Sequence, residues 1–142
     1  MSDLTIHVET VEVSLAVGVD IQDITSDLRR LAASAAIRDG CLNAAVVGST
    51  GSLTTIEYEP GVVEDLRRAI DRMAPPGMEY EHEKAWRDGN GHSHVGAALM
   101  GPSLSIPIRN GDLVLGTWQQ AVVINHDNRA RKRRVEVTVI GR

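Results

Sequence analysis

A chain of 142 residues has the length of one domain, 1–142, built on one core. A formal charge of −4 argues against nucleic acid as the main partner, and 3% aromatic residues with no Phe leave the core to Val, Ile, Leu and Ala. The start, Met1 to Thr5, lacks the basic-then-apolar pattern of a leader, and no apolar run approaches the ~20 residues that span a bilayer, so a cytoplasmic location without membrane contact is expected.

Thr5 to Ala16 is rich in Val and Thr and reads as a strand. Its apolar residues change parity between Ile6 and Val8 and then Val11 and Val13, which predicts a bulge near Glu9-Thr10. Ile24, Leu28, Leu31 and Ala35 recur at helical spacing and predict a helix from about Gln22 to Arg38, capped by Asp23 or Thr25 and ended at Asp39-Gly40, with Gly40 in a left-handed cap. Leu42 to Val47 follows as a strand buried on both faces. The only cysteine, Cys41, has no internal disulfide partner and fits a reducing compartment; it is expected as a small buried side chain ahead of a nucleophile.

Gly48 to Ser52 reads as a tight loop and Leu53 to Glu59 as a strand. Pro60-Gly61 opens a second helix with an apolar stripe of Val63, Leu66, Ile70 and Met73, stopped by Pro75-Pro76-Gly77. Met78 to Asn90 is polar and irregular, and His94 to Met100 is a short third helix ended by Gly101-Pro102. Leu104 to Ile108, a turn at Asn110-Gly111, Leu113 to Leu115 and Trp118 to Ile124 complete a run of strands. Arg133 to Ile140 alternates Val135, Val137 and Val139 against Glu136 and Thr138. The order predicts an α+β fold with a mostly antiparallel, curved or barrel-like sheet, two main helices and one short helix.

Three of the five histidines, His82, His92 and His94, fall within thirteen residues of a polar stretch hinged at Gly89 and Gly91. With His92 and His94 extended, both rings point to one side, and three neutral imidazoles with an open position form a catalytic metal pattern. Solvated loop histidines are the plainer alternative. Glu57 and Glu59 share a strand face, where either acts as a base or holds a histidine tautomer, or simply faces solvent. The small residues of Gly48-Ser49-Thr50-Gly51-Ser52 suit an anion nest, although a turn needs the same types and the Gly-Lys-Ser/Thr of a Walker loop is missing. The basic run Arg129 to Arg134 carries no aromatic and reads as a solvated hairpin loop before a nucleic-acid patch. Trp118 reads as core packing before the wall of a pocket.

Leu99-Met100-Gly101-Pro102-Ser103-Leu104-Ser105-Ile106-Pro107-Ile108, followed by Gly111 and Leu113-Val114-Leu115-Gly116-Thr117-Trp118-Gln119, resembles the YjbQ family, also known as secondary thiamine-phosphate synthase, along nearly the whole chain. The family segment His-Thr-Thr/Ser-Ala-Ala/Ser-Leu-Thr corresponds to Gly48 to Thr54, with Gly48 in place of the histidine and Glu57 at the family's glutamate. Tyr80-Glu81-His82 corresponds to Tyr-x-His, Ser93-His94 to a small residue followed by His, and Asn90 to an Asn/Asp position. Asn125 stands where the family often has Glu. Family members with the first histidine usually lack one at His92, so either His92 replaces the lost imidazole or it is idle. The resemblance implies an α+β barrel-like sheet, homotrimers with sites near subunit boundaries, and an activity that joins a pyrimidine diphosphate to a thiazole phosphate.

Together these readings give an enzyme acting on a phosphorylated small molecule. Ser49, Thr50, Gly51 and Ser52 hold phosphate. His82, His92 and His94 hold a divalent metal, zinc by the ligand type or magnesium for diphosphate chemistry. Glu57, His82 and His94 are the catalytic groups, supported by Asn90 and Glu59. The alternative is a non-catalytic trimeric protein that binds a metal or a phosphorylated ligand at the same place.

Overall fold

The computed structural model describes residues 3–142. Two antiparallel sheets curl into an α+β half-barrel with four helices. The larger sheet has the order β1 (Thr5–Leu15), β8 (Arg131–Gly141), β3 (Gly40–Val46), β5 (Ser103–Arg109), β6 (Asp112–Leu113). The smaller has β2 (Asp20–Asp23), β7 (Gln120–Asn125), β4 (Gly51–Ile56). The helices are α1 (Thr25–Ser34), α2 (Pro60–Met73), α3 (His82–Ala85) and α4 (Gly91–Met100).

The main core lies between α1 and the concave side of the larger sheet. Ile24, Leu28 and Leu31 of the α1 stripe are buried against Leu42, Ala44, Val135, Val137 and Val139. The alternation read in β8 is real: its odd positions face this core. The same parity holds in β1, where Val11 and Leu15 are buried. The expected bulge at Glu9-Thr10 is absent, because β1 pairs with β8 without interruption from Thr5↔Gly141 to Leu15↔Arg131. Ile6 and Val8, 64% and 67% exposed, belong to an apolar row on the outer face instead.

Other expectations are corrected by long-range pairing. The first helix starts at Thr25 because Gln22 and Asp23 hydrogen-bond in register with Val123 and Val122 of β7. Asp23 still organises the start, accepting from the Thr25 backbone N–H at 2.9 Å and from its hydroxyl at 2.6 Å. The left-handed residue after α1 is Ala36, φ 52°, whereas Gly40 is a strand residue that lets β3 approach β8 closely. β3 is buried on one face only. Cys41 and Asn43 lie on the outer face, with Cys41 partly buried and its Sγ 3.0 Å from Ser105 Oγ. Trp118 precedes β7 and is 72% exposed, so it is no core residue.

The smaller sheet carries α2 and α4 on its side, with Ile21, Ile70, Val122 and Ile124 as a second core. Val47 to Thr50 carries the chain from β3 in one sheet to β4 in the other. That crossover faces α4, and the site described next lies there. Among the described residues no helix is long and apolar enough to cross a membrane.

Candidate functional site

The polar stretch before α4 is ordered by its own carboxylates. Glu83 on α3 accepts from the backbone N–H groups of Gly89 at 2.7 Å and Gly91 at 2.9 Å, folding the loop over α3. Asp88 accepts from Asn90 N at 3.0 Å and meets His82 Nε2 at 3.1 Å. The Asn90 hydrogen bond, assisted by His82, holds the Asp88 carboxyl below its usual range.

α4 begins at Gly91, three residues earlier than expected, so His92 and His94 are both helical. Residues two apart on a helix diverge by about 200°. His94 therefore turns toward α3, where its ring stands 4.6 Å from that of His82. His92 turns away, 6.4 Å from the Tyr80 ring and 3.4 Å from Ser93 Oγ. The three imidazoles do not converge within one chain. Among the described residues, His82, Glu83 and Asp88 form the grouping close enough to share an ion, but both Glu83 oxygens already accept backbone N–H groups.

Beside His94, a cavity of about 270 Å³ lies between α4 and the crossover loop, lined by Gly48, Ser49, Gly51, His94, Ala97, Ala98 and Pro102. Gly48, the position of the family motif's histidine, thus shares a cavity with His94. Of the four proposed phosphate residues, Ser49 and Gly51 face this space. The other two turn inward: Thr50 Oγ1 donates to Asp127 Oδ2 at 2.9 Å, and Ser52 Oγ is 2.7 Å from His126 Nε2. Glu57 lies elsewhere, past the end of β4, in a separate cavity of about 450 Å³ with Asp23, Tyr58 and Trp118. Glu59 also lies away from the histidines: its carboxylate caps α2, accepting from Gly61 N at 2.8 Å and Val62 N at 2.9 Å, and these bonds hold it below the usual carboxylate range. Replacing Glu59 with alanine is expected to lower Tm by a few degrees in a thermal melt and to leave binding at the His94 cavity unchanged.

Asn90 is buried and anchors the entry of α4. Its carboxamide oxygen accepts from Ser93 Oγ at 2.8 Å and Asn128 N at 3.0 Å, and its Nδ2 donates to Asp127 Oδ1 at 3.2 Å. It positions the helix that carries His94 rather than touching an imidazole. It also opens onto a buried polar network that sequence reasoning missed: Thr50, Ser52, Asn90, Ser93, Asn125, His126, Asp127 and Arg133. One signal was available. Arg133 has the parity of Val135, Val137 and Val139, so the alternation already placed it on the core side of β8. The basic run is accordingly no loop from Arg131 onward; Arg131 pairs with Asp127 at 3.1 Å and Lys132 with Glu12 at 2.9 Å.

The comparisons with known proteins agree with this architecture. The family profile described as UPF0047 protein YjbQ-like matches residues 9–142. A UPF0047 protein of Archaeoglobus fulgidus is 34% identical over 122 residues, covering 86% of this chain and 92% of that protein. The UPF0047 protein YjbQ of Salmonella typhimurium is 31% identical over 106 residues, covering 74% and 76%. The crystal structure of a YbjQ-like protein of unknown function from Sulfolobus solfataricus superposes with a TM-score of 0.94 at 28% identity, covering 99% of this chain and 100% of the other. A hypothetical protein from Aeropyrum pernix gives a TM-score of 0.88 at 26% identity, covering 96% and 99%. With the same two-sheet frame and a sequence match over nearly its whole length, the chain belongs to the YjbQ (UPF0047) family.

Proposed function

We propose that the chain is an enzyme acting on a phosphorylated small molecule in the cavity between the Gly48–Gly51 crossover and α4. The observation that carries this reading is the His82–His94 pair, 4.6 Å between ring centroids, with His94 lining a cavity walled by small residues. Paired imidazoles supply proton transfer near neutral pH or nitrogen ligands for a divalent ion. His82 is already oriented by Asp88, the type of carboxylate partner that fixes a histidine tautomer. Zinc suits the nitrogen donors, and magnesium suits a diphosphate substrate. The transfer that joins a pyrimidine diphosphate to a thiazole phosphate is one reaction of this class.

The acting unit in this reading is a cytoplasmic homotrimer. Glu57 and Trp118 line a cavity apart from His94, and the outer face of β1 and β8 leaves Ile6, Val8 and Ile140 uncovered. A second copy packed on that outer face would cover this apolar area. One observation favours a non-catalytic binding protein instead: within one chain, Glu57 is not beside the cavity and the Thr50 and Ser52 hydroxyls are engaged.

Elemental analysis of untagged protein, with turnover and size measured for wild type and His94→Ala, separates the readings. His94→Ala is expected to keep the trimer and lower turnover on a phosphorylated substrate by about 100-fold or more. A trimer that binds phosphorylated compounds without turnover supports the binder. Undiminished turnover in His94→Ala removes His94 from the mechanism.

A further inference from the structure

The chain has two tryptophans, two tyrosines and no Phe, and one tryptophan and one tyrosine line the same cavity. This is the space of about 450 Å³ past the end of β4, where Tyr58 and Trp118 share the wall with Asp23, Glu57 and Glu59. Trp118 is 72% exposed and Tyr58 44%. Exposed aromatic surface rimmed by polar residues is a recurrent mark of a binding site.

Both aromatic residues are braced by hydrogen bonds. Tyr58 Oη donates to Ile21 O at 3.1 Å, and the Tyr58 backbone N–H donates to Gln120 Oε1 at 3.0 Å. Gln120 Nε2 in turn donates to Thr117 O at 3.2 Å, next to the tryptophan. The turn that carries Trp118 is closed by Gln119 N to Gly116 O at 3.1 Å and by Gly116 N to Gln119 Oε1 at 3.0 Å. Gln119 Nε2 also reaches Thr55 Oγ1 of β4 at 3.2 Å. The indole is therefore presented by a held turn, and Gln120 ties that turn to the tyrosine. Surfaces ordered in advance lose less freedom on binding.

Charge selects the ligand. Among the described residues, every charged side chain that lines the cavity is a carboxylate. Glu59 is engaged in capping α2, and those bonds favour its ionised form. Asp23 meets Thr25 through Oδ1. The Glu57 carboxylate forms no hydrogen bond or ion pair among the described residues. Three carboxylates without a cation attract a positive ligand, and aromatic faces attract the same ligand through their ring quadrupole. A bare metal ion would use the oxygens and not the rings. A neutral ring would use the aromatic faces and leave the carboxylates unanswered. An organic cation uses both.

We propose that this cavity binds a small organic cation, with Trp118 and Tyr58 supplying the aromatic surface and Glu57 the neutralising carboxylate. The site is separate from the His94 cavity and does not depend on what is bound there.

The test follows the two indole N–H signals in ¹⁵N–¹H spectra while choline is titrated into the protein. A parallel titration uses its uncharged analogue, in which a tert-butyl group replaces the trimethylammonium. Trp118 is expected to shift saturably with choline and little with the analogue. Trp86, which follows α3 and lies outside this cavity, is expected to stay in place. Trp118→Ala and Glu57→Gln alter exposed side chains and keep the fold. Followed through the Tyr58 amide signal, each is expected to bind choline about fivefold more weakly. Glu57→Gln should also flatten the dependence on salt. Equal binding of the uncharged analogue, equal shifts of both indoles, or full binding retained in either variant overturns the proposal. So does the absence of a saturable Trp118 shift at millimolar choline.

Discussion

Alanine at Gly40 is expected to cost about 3 kcal/mol or more of stability, a fall in Tm of roughly 10 °C for a chain of this size. Gly40 lies opposite Gly141 of β8 on one side and Ile108 of β5 on the other. A Cβ there would overlap the carbonyl oxygen of Ile140 and stand 2.7 Å from Gly141 Cα and 2.9 Å from Ile140 C. These are backbone atoms, which cannot swing aside as a flexible side chain does. The neighbouring backbone is itself fixed, since Arg38 N donates to Arg142 O at 2.9 Å and Arg142 N to Asp39 O at 3.0 Å. The strands would have to separate where β3 joins the two halves of the larger sheet. Urea melts of wild type and Gly40→Ala measure the loss, and an unchanged midpoint would show that β3 and β8 do not approach as described.

Acidification from pH 6.5 to about 4 is expected to remove about 3 kcal/mol of stability through His126 alone. The ring is 2% exposed and bonded to Ser52. Burial, followed by the positive charge of Arg133 and of His92, pushes its pKa from 6.5 down to about 4. Between those values the unfolded chain takes up a proton that the native ring refuses. The contribution is therefore complete above pH 6.5, falls as pH drops toward 4, and changes no further below that. Asp127 adds a separate loss at lower pH. Burial pushes its carboxyl up, but hydrogen bonds from Thr50, Asn90, Arg131 and the Arg129 N–H outweigh burial and hold it below 3.8. Its contribution is present above 3.8 and is lost as pH falls further. Denaturant melts at intervals from pH 7.5 to 3 resolve the two limbs. His126→Gln, which keeps a hydrogen-bonding group toward Ser52, should flatten the upper limb and leave the lower one. A wild-type midpoint constant between pH 6.5 and 4 would mean that His126 is not held neutral.

Both effects come from contacts between distant segments, and this limits what the chain reveals when read along its length. The α1 stripe of Ile24, Leu28 and Leu31, the opening of α2 at Pro60-Gly61, and the alternation of β8 were legible because each depends on spacing within one element. The turn at Asn110-Gly111 was legible for the same reason: both residues take positive φ, 52° and 83°, which these residue types tolerate. The family was legible too, through the motif from Leu99 to Gln119.

The site was legible only in part. His82 and His94 meet, as their clustering implied, but His92 turns away because Asn90, tied to Asp127 and Asn128, starts α4 early enough to make it helical. Glu59 was a visible carboxylate whose use as a cap depended on where β4 stopped. The apolar pair Ile6 and Val8 looked like a broken strand because their outward exposure is decided by the partner strand and not by their own spacing. Arg133 carried the right parity, yet the basic residues around it masked a buried position. By itself, then, the sequence determined the α1 stripe, the opening of α2, the alternation of β8 and the family, since the energies behind those features act between near neighbours. Only the tertiary structure decided which polar side chains are withdrawn from water and what they meet, because burial and hydrogen bonding are set by the segments that fold against them.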